Sequence, residues 1–110
     1  MLKDRMVRVK LIKHYHEQRP QSFVGKVTAF NDAWVVMDAK GLMLCRNLPN
    51  SVQIDPRTAP VVIARDNIES IRVLPDNFDM NNIQVTTEGQ QLRLVVPNAA
   101  SCFIGEMGEG

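Results

Sequence analysis

The chain has 110 residues, 45% of them hydrophobic and 23% charged, which is enough for one hydrophobic core and excludes wholesale disorder. No apolar run approaches the ~20 residues of a membrane-crossing helix, and the net charge of +1 is far from the strongly basic balance of a dedicated DNA binder. The charge is unevenly spread, with a basic first quarter (residues 1–26) and an acidic last third (residues 75–110), so an anionic partner is steered to one surface or the two ends are simply solvated.

Period-two alternation dominates, which predicts strands. Val7, Val9 and Leu11 alternate with Arg8 and Lys10, giving a strand over residues 6–13 whose charged face is solvated. The polar stretch 14–21, with Pro20, reads as a loop. A second strand over 22–30 carries Val24, Val27 and Phe30, and its alternation slips near Gly25 and Ala29, the mark of a bend or bulge. Asn31-Asp32-Ala33 makes a tight turn into a strand over 34–39, after which a turn at Lys40-Gly41 leads to residues 42–45. Residues 46–60 hold three prolines and read as a connection. Residues 61–64 and 67–74 are strands on either side of a corner at Arg65-Asp66. Ile83 to Thr87 and Gln90 to Val96 form a hairpin around Glu88-Gly89, with Val85 facing Leu92 and Ile83 facing Leu94, followed by a mobile acidic tail. Helix is confined to at most one turn over residues 2–6.

The predicted fold is therefore all-β: a small, strongly bent five-stranded barrel over residues 1–75 and an extension over 76–110 built on the extra hairpin. So small a barrel leaves strand edges unpaired, and pairing them between copies would hide them, which predicts a homo-oligomer.

Two segments resemble the Sm/LSm (Hfq-like) family. FVGKVTAFNDAWVVM (residues 23–37) is similar to the family's first motif, a glycine, a hydrophobe, Phe-Asp, a two-residue gap and a hydrophobic strand. VVIARDNIESIRVL (residues 61–74) is similar to the second, an Ile-Arg-Gly-Asp-Asn-Ile-like corner between the last two strands. The resemblance covers about residues 6–74 and implies a ring of identical copies joined through edge strands, binding single-stranded RNA near its pore. Gly25, Val27, Phe30, Ile63, Asp66, Asn67 and Ile68 match the motifs. Asn31 replaces the usual Asp, Trp34 and Val35 stand at a Met-Asn pair, and Ala64 and Arg65 replace Arg and Gly, so the guanidinium is displaced by one position. The Tyr-Lys-His signature of the Hfq type is absent.

The candidate nucleic-acid-binding residues are Asn31, Trp34, Arg65 and Asp66 at the pore, with Arg8 and Lys10 supplying phosphate contacts. Trp34 either stacks on a base or packs against protein, and Arg65 either contacts RNA or pairs with a carboxylate. His14, His16, Cys45 and Cys102 match no zinc-ligand spacing, and phosphate-binding glycine loops and nucleophile elbows are absent, so neither metal, cofactor nor catalysis is expected. The first ten residues lack a signal peptide's apolar stretch, and the two cysteines read as free thiols in a reducing, cytoplasmic setting. The expected function is an RNA-binding ring, an RNA chaperone or processing scaffold. The alternative is an interaction ring that has lost RNA binding and uses its C-terminal hairpin on a protein partner.

Overall fold

A computed structural model describes residues 2–15, 18–45 and 51–106. Nine strands among the described residues form two antiparallel sheets. The first runs in the order β4-β3-β2-β1-β6, built from β1 (Met6–Leu11), β2 (Gln21–Phe30), β3 (Trp34–Leu44), β4 (Val52–Ile54) and β6 (Ile68–Val73). Strand β5 (Ala59–Ala64) pairs with the first half of β3, so β4 and β5 share one edge of that long strand. The second sheet has the order β7-β8-β9, from β7 (Val85–Glu88), β8 (Gln91–Leu94) and β9 (Cys102–Glu106).

The first sheet is the expected bent barrel with six strands in place of five. Strand β4 and the start of β5 lie inside residues 46–60, which read as a connection, and the sheet is left open between β5 and β6. At Gly25 a Cβ would lie 2.0 Å from the Asp38 carbonyl oxygen, so glycine is what lets β2 approach β3 this closely. Three residues later Thr28 is an extra residue in β2, between the Val27–Met37 and Ala29–Val36 pairs, and its hydroxyl donates to Val36 O at 3.2 Å. A bulge of this kind increases the local twist and reverses which residues face inward. It accounts for the slipped alternation in the sequence. Lys40-Gly41 is not a turn: β3 runs straight through it for eleven residues, with the Gly41 N–H on Asp55 Oδ2 at 2.9 Å.

The concave face closes over Val7, Val9, Val27, Val35, Met37, Ala39 and Ile63, all 4% exposed or less. The convex face of β1, β2 and the end of β3 is roofed by the second sheet. Met6, Val24, Leu42 and Leu44 meet Leu92, Leu94, Val96, Cys102 and Ile104 there in one buried cluster. Residues 76–106 therefore share a core with the barrel.

The roof corrects three expectations. The solvated face of β1 is covered: Arg8 and Lys10 are each 6% exposed. The sequence around Cys102, read as a weakly structured tail, is strand β9, while residues 107–110 of the expected mobile tail lie outside the described residues. The hairpin pairs Val85 with Leu94 and Thr87 with Leu92, and turns at Gly89-Gln90. The reason is conformational. Gly89 has φ +63°, and a two-residue II′ turn requires that angle at its first central position, so glycine must lead the pair.

Candidate nucleic-acid interface

The open barrel has a mouth where the β2–β3 turn meets the β5–β6 corner. Asn31 builds the turn, its Oδ1 accepting the N–H groups of Ala33 and Trp34 at 2.8 Å each. Short polar side chains favour this role because they replace a backbone acceptor. The corner is a single 3-10 turn, Arg65–Asn67, held from two sides. The Arg65 N–H donates to Ala33 O at 2.9 Å, and the Ile12 N–H to Asn67 O at 2.8 Å.

Arg65 lies across the mouth. Its Nη1 donates to Asn31 O at 3.0 Å and stands 3.8 Å from Asp32 Oδ1, with its guanidinium carbon 4.8 Å from the centre of the Phe30 ring. Phe30 is 40% exposed, so a cation–aromatic pair is presented to solvent. Asp66 is exposed in the same corner. The two segments singled out in the sequence, more than thirty residues apart, thus meet through Asn31 and Arg65.

The other three candidates stand elsewhere. Trp34 is 47% exposed and pairs with Ala64, but it precedes the buried Val35 and so projects from the convex face, away from Phe30. Val62 is 61% exposed on that same face, a diagonal neighbour of Trp34 across the β3–β5 ladder. Arg8 donates to Cys102 Sγ at 3.0 Å and to Ser70 Oγ at 2.9 Å beneath the roof. Lys10 pairs with Glu69 at 2.9 Å and lies 5.7 Å from the centre of the Phe103 ring. Phe30 itself was missed as a site residue, because an aromatic at a motif's structural position reads as core.

Both lateral edges of the barrel, β5 and β6, carry backbone groups without a ladder partner among the described residues. The Arg65–Ala33 bond fixes the alternation along β3 and β5, so the backbone groups of Val62 and Ala64 turn outward, together with Pro60, which has no N–H. The bond from the Leu74 N–H to Met6 O does the same for β6 and turns the backbone of Ile71 and Val73 outward. Val73 is 43% exposed there. Among the described residues no group of three or more His, Cys, Asp or Glu could hold a metal ion, and no helix is long and apolar enough to cross a membrane. No family model, curated protein or solved structure matches the chain.

Proposed function

We propose that this chain is a non-catalytic, Sm-like protein that binds single-stranded RNA at the barrel mouth, as a homo-oligomeric ring joined through β5 and β6. The observation that carries the reading is the Arg65 guanidinium laid on the half-exposed Phe30 ring, where the two motif-like segments meet. A base stacked on such a platform contributes ~1–3 kcal/mol, with little dependence on its identity. Asn31 shapes the turn instead of reading a base, and Val35 is fully buried. The proposed interaction is therefore stacking plus a positive charge, without a uridine-reading pocket. Arg8 and Lys10 drop out of the proposed contact surface, being roofed and partnered.

Fluorescence anisotropy with a labelled, unstructured ~20-nucleotide RNA tests it across a salt series, since phosphate contacts make affinity fall with salt. Arg65→Ala and Phe30→Ala are each expected to weaken binding about tenfold, the equivalent of ~1.4 kcal/mol. Trp34→Ala is expected to leave it intact. Wild-type protein that ignores RNA even at low salt removes the reading.

One observation favours the alternative, an interaction ring. Trp34 and Val62 form an apolar pair on the convex face beside a free edge. Under that reading Trp34→Ala disrupts assembly, and the RNA titration is flat throughout.

A further inference from the structure

Away from the mouth, three arginines converge on residues 100–102. Arg72 of β6 donates from Nη1 to Ser101 O at 3.1 Å and from Nη2 to Ala100 O at 2.9 Å. Arg93 of β8 donates from Nε to Ser101 Oγ at 2.8 Å and from Nη2 to the same Ser101 O at 2.9 Å. Two guanidinium groups thus share one carbonyl oxygen. Arg8 stands directly across the ladder from Arg72 and donates to Cys102 Sγ. A carboxylate at this cluster is that of Glu88, whose Oε2 accepts from Ser101 Oγ at 2.6 Å and lies 3.8 Å from Arg93 Nε.

Like charges held this close repel, and neutral carbonyls offset that repulsion poorly. A tetrahedral oxyanion offsets it well, because planar guanidinium forks match its oxygens and a serine hydroxyl can turn to donate to it. Glu88 already has the character of such an anion: it is negative, it accepts the hydrogen bond of the serine hydroxyl, and its side chain is 54% exposed and so free to leave. Arg93, at 23%, is mostly covered but keeps part of its guanidinium side chain open to solvent. We propose that Arg72, Arg93 and the Ser101 hydroxyl form a binding site for a phosphate oxyanion, with the Glu88 carboxylate as its internal competitor. The site is independent of the mouth and of the RNA reading.

The test is thermal denaturation with increasing inorganic phosphate at constant ionic strength, balanced with chloride. A saturable rise in melting temperature is expected for the wild type. Glu88→Gln removes the competitor and is expected to tighten phosphate binding roughly tenfold. Arg93→Gln abolishes it. Because Arg93 also braces the 100–101 loop, Arg93→Lys is run alongside, with phosphorus NMR line broadening as a readout that does not depend on stability. Lysine keeps the charge and loses the fork, so binding at least several-fold weaker is expected. Chloride giving the same shift, or Glu88→Gln binding no tighter than wild type, overturns the proposal and leaves an internal ion-pair network. The source of the phosphate is read by competition. A short oligonucleotide displaced from Glu88→Gln by phosphate assigns a polynucleotide backbone, and phosphate binding without such competition assigns the free anion. Arg65→Ala leaves phosphate affinity unchanged, so this site and the mouth succeed or fail separately.

Discussion

Gly25 and Gly89 both resist substitution, for unrelated reasons. At Gly25 a methyl group would sit 2.0 Å from one backbone oxygen and 2.7 Å from the Ala39 Cα, so β2 and β3 would have to separate. Gly25→Ala is expected to cost at least ~3 kcal/mol in urea unfolding, the upper end of overpacking penalties. Gly89 has open space around it and only its positive φ to defend, so Gly89→Ala should cost about 1–2 kcal/mol. Two hydroxyl and amide positions make a second contrast. Asn31 Oδ1 holds two N–H groups, and Asn31→Ala should cost about 1–2 kcal/mol. Ser22 Oγ is buried with no partner among the described residues, so Ser22→Ala should be neutral or stabilising by up to ~1 kcal/mol. Asn31 and Gly25 were legible in sequence because turn and bend chemistry is local. Trp34 was only half legible: its exposure follows from the turn, but its face depends on the parity reset by the Thr28 bulge.

Most strands of the barrel could be read because each alternates over its own length, and so could the β7–β8 hairpin of the roof, whereas the short β4 inside residues 46–60 and the roof's last strand, β9, could not. Strand β9 is short, contains Gly105 and follows a polar loop, so nothing within residues 102–106 distinguishes it from a tail. The burial of Arg8 and Lys10 follows from β9 and was hidden with it, since a cation beside a valine on a strand ordinarily marks a wet face. In the hairpin, Glu88-Gly89 and Gly89-Gln90 compete as turn pairs, and the backbone angle at Gly89 decides between them. The division at residue 75 takes a different physical form from two independent units. Leu94 is fully buried and shares a cluster with Met6, Val24 and Leu42 of the barrel. Leu94→Ala should therefore cost about 2–5 kcal/mol, and Trp34 fluorescence and far-ultraviolet dichroism should report a single, coincident unfolding transition. Two separate transitions would mean that the roof and the barrel are held independently.

At the scale of the molecule, the open sheet presents two different edges, β5 and β6. The outward N–H of Val62 has no partner in the ladder to β3, so Val62→Pro removes a donor that the described residues of the single chain do not use. Sedimentation velocity should then show ring-sized wild-type protein and a variant of single-chain mass, with unchanged dichroism. Wild type sedimenting at 12.4 kDa would dispose of the ring.

The proline at position 60 gives that edge a direction. In the proposed ring two unlike edges would join head to tail, a contact that either closes on itself or propagates as a filament, depending on the rotation between successive copies. Along β5 the outward row offers donors at Val62 and Ala64 and then meets a pyrrolidine ring. An incoming strand that slides toward Pro60 loses a hydrogen bond and meets bulk where it needs a donor. In the proposed ring Pro60 would be an end stop: it would leave one favoured alignment for a neighbour and deny the long, uniform rim along which slipped copies accrete into fibres.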